Sequence, residues 1–260
     1  MAVELAGGCR VSEMREGTPH VVGTLSIWKQ IGRATGAQAI SLRVLEFRVG
    51  LSPGLRNQDC DEVLYLVEDL QGGEKLKRCT VFIDGRAHRV TARTGIYLRP
   101  GQTLMVDNPG PDALCFVSAQ CPESTSSEIM PLGSINFNTE SAETSSVVRL
   151  ADQREMPTGD RWYRVLVDHE IGSEQVTQFV GSIPPGRAPD HFHEYEEVLF
   201  ILRGTGRLWS GPDVSTPIGP GACVYLPRGQ VHCVENTGEG ELRLLGVFYP
   251  AGSPAVRYES

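Results

Sequence analysis

Residues 62–67 read Glu62-Val-Leu-Tyr-Leu-Val and residues 197–202 read Glu197-Val-Leu-Phe-Ile-Leu, so one apolar pattern headed by an acid occurs twice, at an offset of 135. Tyr97-Leu98, Gly101-Gln102 and Asn108 return as Tyr225-Leu226, Gly229-Gln230 and Asn236 at an offset of 128. Phe47 and Pro53-Gly54 match Phe179 and Pro185-Gly186 at 132, and Pro122 matches Pro250 at 128. Drifting offsets mean small loop insertions between matching strands, which surface loops tolerate. The repeat runs from about Gly23 to Tyr249 and confines the 260 residues to two tandem copies of one fold.

The copies read as β structure. Gly 29 and Pro 17 make up nearly 18% of the chain, against an average near 12%, and they punctuate short apolar runs rather than long ones. In the second copy strands are expected at Thr177 to Ile183, Glu197 to Arg203, Gly206 to Ser210, Cys223 to Leu226, Val231 to Glu235 and Glu241 to Tyr249, each ending at a turn signal. This rhythm predicts sandwiches or barrels rather than alternating strands and helices. In the first copy Cys79 to Val90 reads as a hairpin turned by Asp84-Gly85, a favoured hairpin dipeptide.

The second copy carries a donor set. His191 and His193 are two residues apart, so on a strand both face one way. Glu197 arrives from the next strand and His232 from one further on. Three neutral imidazoles and one carboxylate suit a divalent transition metal and are too nitrogen-rich for Ca(II) or Mg(II). Fe(II) or Mn(II) leads, with Ni(II), Zn(II) and Cu(II) as alternatives. Glu196 competes with Glu197 as ligand on residue type alone.

Gly186 to Gly204 and Gly221 to Asn236 fill every position of two successive motifs, His-x-His-x3-Glu-x6-Gly and Gly-x5-Pro-x-Gly-x2-His-x3-Asn, within 51 residues. The chain thereby resembles the cupin superfamily, and the repeat makes it similar to the bicupins. The resemblance implies two tandem jelly-roll (double-stranded β-helix) barrels and favours Glu197 over Glu196. It also implies a metal-dependent activity on a small organic molecule. A dioxygenase-type reaction leads; a redox-neutral isomerase, lyase or hydrolase, or a binding protein without turnover, are the alternatives. The overall plan also resembles ureidoglycine aminohydrolase, whose ligand order differs. The oxalate decarboxylases fit less well, being longer and needing more than a blank first copy.

That first copy lacks the donor set. Glu62 survives, but Leu104 stands where His232 stands. The histidine positions fall on Arg56 and Gln58 counted back from Glu62, or on Asp59 and Asp61 counted forward from Pro53-Gly54. The first copy, residues 1–138, is therefore expected to be metal-free and structural, and residues 139–260 to hold the site. A Ser-, Thr- and Glu-rich connector separates them near Thr139, and Val147-Val148-Arg149-Leu150 is expected to open the second copy as an edge strand.

Strand parity nominates the walls of the pocket. Leu199 and Ile201 share the face of Glu197, and Val234 shares that of His232. Phe179, Trp209, Phe248 and Tyr249 are further wall candidates, and Arg203 and Arg207 are candidates to grip a carboxylate. Cys233 has the opposite parity and reads as packing; His169 reads as surface.

Other classes are disfavoured. A formal net charge of −8 argues against nucleic acid, which demands clustered Lys and Arg. No apolar run nears the roughly 20 residues of a membrane span. Seven irregularly spaced cysteines do not form a disulfide framework, and no secretory signal is visible, so a cytoplasmic location is expected. The ends, Met1 to Thr24 and Pro250 to Ser260, lie outside the repeats. Val21-Val22 and Val256-Arg-Tyr258 are candidates to add edge strands to a neighbouring subunit in a homodimer or larger assembly.

Overall fold

A computed structural model describes residues 1–70, 77–131 and 146–255. Its strands close into two jelly-roll barrels, each made of two facing sheets. The large sheet of the first barrel runs, in spatial order, Val147–Arg149, Thr94–Leu98, Asp61–Leu66, Leu114–Cys121, Leu42–Phe47, Leu25–Ile31 and His20–Val22. Its small sheet runs Arg86–Thr91, Arg78–Ile83, Thr103–Asn108, Gly54–Asn57 and Ser127–Met130. The large sheet of the second barrel runs Val3–Glu4, Arg10–Glu13, Ala222–Leu226, Glu196–Arg203, Leu242–Tyr249, Thr177–Ile183, Arg161–Val167 and Met156–Thr158. Its small sheet is Gly186–Arg187, His232–Asn236, Gly206–Ser210 and Ser215–Ile218. Helix among the described residues is limited to short 3-10 turns, none long and apolar enough to cross a membrane.

Alternation along the large sheets builds three apolar layers. Leu64 and Leu66 point into the first barrel, and Leu199 and Ile201 into the second. Their neighbours Val63, Tyr65, Val198 and Phe200 point the other way and meet between the barrels. Both faces of these central strands are thus covered, which is why they read as unbroken apolar runs. Pseudo-symmetric polar pairs fasten the same interface. Tyr97 donates its hydroxyl to Asp61 at 2.7 Å, and Tyr225 donates to Glu196 at 2.7 Å.

The barrels exchange strands. Arg10–Glu13, before the first repeat, pairs with Ala222–Leu226 of the second barrel. Val147–Arg149 pairs with Thr94–Leu98 of the first barrel. The second differs from expectation, since Val147–Arg149 joins the first barrel and does not open the second copy. Val21 and Val22 pair with Ser26 and Leu25 in a local hairpin. Edge pairing is mostly main-chain bonding, so side chains carry little information about which edge a strand joins. The expected boundary near Thr139 and the patch at Val256–Tyr258 lie outside the described residues.

The repeat is confirmed, with one register corrected. Asn108 donates to the carbonyls of Phe47 and Asp112, and Asn236 to those of Ile183 and Gly240, while each accepts from the amide two residues on. Asn108 pairs with Gly50 and Asn236 with Gly186, both at positive φ. Phe47 is therefore the counterpart of Ile183, not of Phe179, and Gly50 rather than Pro53-Gly54 answers Pro185-Gly186. The first copy carries one extra residue, between Asn57 and Glu62, and the Pro53-Gly54 pair matched by composition alone lay four positions out of register.

Candidate metal centre

His191 sits where the chain from Gly186–Arg187 crosses the strand His232–Asn236. Its amide donates to the His232 carbonyl at 3.0 Å and its carbonyl accepts from the His232 amide at 2.8 Å. Two residues on, the His193 carbonyl accepts from Gly229, which lies in the turn before His232. These backbone bonds hold the two histidine-bearing segments face to face. The donor atoms of His191, His193 and His232 all lie within 4.8 Å of one another. Glu197 lies beside them, its Oε2 3.3 Å from His193 Nε2.

The imidazoles are oriented from behind. His191 Nδ1 lies 3.0 Å from the Pro189 carbonyl and His232 Nδ1 lies 2.8 Å from the Gln230 carbonyl. A carbonyl only accepts, so each Nδ1 carries the proton and each Nε2 lone pair faces the centre. His193 is held by stacking: its ring lies 4.7 Å from Tyr195 at 11°, and Tyr195 lies 4.4 Å from Phe248 at 20°. Glu196 takes no part. Its carboxylate accepts from the Gln38 and Ala39 amides of the first barrel and from Tyr225, so parity assigns the second acid of the pair to the centre and the first to the barrel interface.

Burial disfavours charge of either sign here. It raises the Glu197 carboxyl to about 8, and burial, with the neighbouring His191, lowers His232 to about 4. Near neutral pH His232 is thus a neutral imidazole and Glu197 a protonated carboxyl. A dication at the centre would favour the carboxylate and leave the imidazoles neutral, as ligation requires. The donor set fits a metal on these grounds.

The centre forms the floor of a partly open cavity of about 110 Å³, room for roughly seven to eleven water-sized atoms. Leu199 and Val234 line it as parity predicted, together with the wall candidate Phe179 and with Leu226 and Leu244. Phe179 lies over Gly246, where a Cβ would come within 2.3 Å of its ring; the missing side chain makes room for the aromatic.

Six nominated residues lie elsewhere, among them Phe248, which packs behind Tyr195 in the interior cluster without lining the cavity. Ile201 is buried in the interior cluster but does not reach the cavity. Trp209 pairs with Cys233, while Leu208 and Ser210 pair with Val234 and His232. Trp209 is therefore on the outer face, under Arg187 at 4.1 Å and bonded to Glu235. Arg207 shares that face and bonds Ser215. The register shifts between Ile201 and Arg203, and Arg203 ends its strand exposed. Phe248 pairs with Glu197 and points inward, so Tyr249 points outward against the inter-barrel layer. Cys233 is buried beside Arg187, and His169 is exposed, as expected.

The sequence reading missed Arg161, Tyr163 and Tyr195, which line the same cavity. Arg161, Tyr163 and Val165 alternate ahead of the motifs, on a strand that pairs with Thr177–Ile183. That alternation was the available signal.

The equivalent place in the first barrel is filled by protein. Leu55 pairs with Leu104 as His191 pairs with His232. The histidine positions therefore fall on Leu55 and Asn57, one residue from the first expected register. Arg43 pairs with Ser118 where Phe179 pairs with Gly246. The Arg43 guanidinium, the Ser118 hydroxyl and the Asn57 amide all donate to the Glu62 carboxylate. An arginine thus supplies the positive charge at the one acid that survives.

Comparison with known proteins agrees with this division. Residues 179–248 match the Cupin domain family model. Auxin-binding protein 1 of Arabidopsis thaliana is 30% identical over 86 residues, 30% of this chain and 43% of that protein. The chain spans about half the length of the curated auxin-binding relatives it matches. Among solved structures, the formate complex of Lactobacillus farciminis oxalate decarboxylase superposes with a TM-score of 0.71 at 12% identity, covering 94% of this chain and 87% of that one. A Bacillus subtilis oxalate decarboxylase, described by its Mn(II) centres, gives 0.70 at 13%, covering 94% and 78%.

Proposed function

The chain is a bicupin of the cupin superfamily, and from that premise we propose that its second barrel is a mononuclear metal centre at which a small organic molecule is oxidised in a dioxygenase-type reaction. His191, His193 and His232, through Nε2, and the Glu197 carboxylate would hold the metal, Fe(II) or Mn(II) foremost. The bound ion would supply Lewis acidity and one-electron chemistry with oxygen.

One observation carries the reading. The centre lies under apolar and aromatic walls, and among the described residues lining the cavity no histidine, carboxylate or lysine stands outside the donor set. Redox-neutral proton shuttling at carbon needs a positioned acid or base beside the metal, for which this lining offers only the phenols of Tyr163 and Tyr195, whereas oxidation relies on the metal itself. Phe179, Leu199, Val234 and Leu244 present apolar surface beside the centre, and the Pro189 and Gln230 carbonyls keep two imidazoles in the ligating tautomer. Binding without turnover is the second reading, favoured by the likeness to auxin-binding proteins.

The test is oxygen uptake by Fe(II)- and Mn(II)-loaded protein against enolic, phenolic and keto-acid compounds. Substrate-dependent uptake, lost in Glu197→Gln, supports the proposal. Turnover without oxygen assigns a lyase, isomerase or hydrolase instead, and saturable binding without turnover assigns a binding protein.

A further inference from the structure

We infer that the first barrel, which lacks the donor set, aims the acid ligand of the second barrel through the carboxylate of Glu196. The inference rests on the reading of His191, His193, His232 and Glu197 as a metal centre. Glu196 is no ligand. It directly precedes Glu197 on the strand Glu196–Arg203, so the two side chains leave opposite faces. On its own face the Glu196 carboxylate accepts from the Gln38 amide at 3.0 Å, the Ala39 amide at 2.7 Å and the Tyr225 hydroxyl at 2.7 Å. Bonds to an ionised acceptor are roughly twice as strong as neutral ones, and Glu196 is only 8% exposed. The two amides are themselves fixed by the first barrel. Gln38 and Ala39 lie between the turn Arg33–Thr35 and the strand Leu42–Phe47, and their neighbours Ala37 and Ile40 are buried in the layer between the barrels. The Ala37 amide donates to the Gly32 carbonyl at 3.2 Å and the Ser41 amide to the Gln120 carbonyl at 3.0 Å. Tyr225 comes from the adjoining strand, where the next residue, Leu226, pairs with Glu197 itself.

The two copies show why the hold is needed. Glu62 of the first barrel is gripped directly, by Arg43, Ser118 and Asn57. Around Glu197 the same positions are Phe179, Gly246 and His193, so the guanidinium and the hydroxyl are gone. The polar contact left to the Glu197 carboxylate among the described residues is His193 Nε2 at 3.3 Å, itself a donor of the centre. The aim of Glu197 is therefore set by the backbone that carries it, and that backbone is pinned one residue earlier by Glu196. Glu196 acts as a positioning residue, with Tyr225 and the Gln38 and Ala39 amides as its clamp. Partners of this kind that orient a ligand matter to metal affinity nearly as much as the ligand does.

The pseudo-symmetry supplies the control. Tyr225→Phe removes a 2.7 Å bond to Glu196, and Tyr97→Phe removes a 2.7 Å bond to Asp61, which precedes the blank acid Glu62. Both variants, with Glu196→Gln, are made in the full-length chain. Mn(II) affinity is measured by calorimetry, and the surroundings of the bound ion are read from its electron paramagnetic resonance spectrum. Tyr225→Phe and Glu196→Gln should weaken Mn(II) binding by about 10–100-fold and change the zero-field splitting. Tyr97→Phe should lower the unfolding temperature about as much as Tyr225→Phe does, with affinity and spectrum unchanged. Unchanged affinity and spectrum in Tyr225→Phe overturns the inference, and so does an equal change in Tyr97→Phe. Weaker binding with an unchanged spectrum also overturns it, because a loosened fold alone does that. Tyr225→Phe decides the matter if Glu196→Gln does not fold. An unaltered chain that binds no Mn(II) refutes the metal-centre reading and this inference with it, whereas equal Mn(II) binding by all forms refutes this inference alone.

Discussion

Two buried acids at equivalent places, Glu62 and Glu197, have opposite surroundings, and their behaviour follows from that. Glu62 receives a guanidinium, a hydroxyl and an amide; Glu197 is pushed up to about 8 by burial. Removing the cation from Glu62 leaves an uncompensated buried charge. Arg43→Ala should therefore cost about 3–5 kcal/mol in denaturant unfolding, with metal content unchanged. At the second centre the prediction concerns pH. In metal-free protein Glu197 keeps its proton between its unfolded value of 4.5 and about 8, so it contributes stability that is lost as pH rises through that window. His232 is shifted down from 6.5 to about 4, so it opposes folding as pH falls through that interval. The two slopes cancel between 4.5 and 6.5. From pH 6.5 to 8 the metal-free protein should lose about 2 kcal/mol, and saturating metal should abolish the loss by holding Glu197 ionised. Unfolding measured across this range with and without metal checks both halves. The ligand residues were legible because their spacing has one chemical meaning. Arg161 was not, because an isolated arginine on a short strand has solvent as its ordinary fate.

The six strands expected in the second copy were read within about a residue, since apolar alternation and turn residues report local structure, whereas Arg161–Val167 and Ser215–Ile218 were not nominated. Strand partnership was not, because pairing between distant segments leaves little trace in either partner. The N-terminal arm is the clearest case. It adds Val3–Glu4 and Arg10–Glu13 to the edge of the second barrel, and Leu5, Cys9 and Val11 enter that barrel's interior cluster. Ser210 donates its hydroxyl to the Ala6 carbonyl, and a Cβ on Gly7 would collide with the Gln230 side chain. Gln230 is the residue whose carbonyl orients His232. The arm thus braces the turn that presents a metal ligand, although none of its own residues reaches the centre. Deleting residues 1–13 should cost at least about 3 kcal/mol, from the apolar surface of Leu5 and Val11 alone, and should weaken metal retention. Thermal unfolding together with metal dissociation kinetics checks this. Loss of stability with unchanged metal release would leave the arm as a simple edge strand.

At the scale of the molecule, one barrel appears twice, furnished once. The copies share the strand pattern, the asparagine-bonded turns and the tyrosine–acid pairs that join them. They differ at five interior positions around the site, where Leu55, Asn57, Leu104, Arg43 and Ser118 replace His191, His193, His232, Phe179 and Gly246. The general plan was legible because insertions between strands leave strand patterns intact. The detailed register of the blank site was not, since the one extra residue falls between Asn57 and Glu62 in a loop with no pattern of its own, and Pro53-Gly54 offered a false anchor. The central claim is therefore a stoichiometry: one metal per chain, held by the second barrel. Elemental analysis of protein purified without chelators tests it most directly. The unaltered chain and Glu62→Gln should each carry one first-row metal, Glu197→Gln should carry much less, and the His191→Ala, His232→Ala double variant none. Two metals per chain, or metal retained by the double variant, would contradict the account.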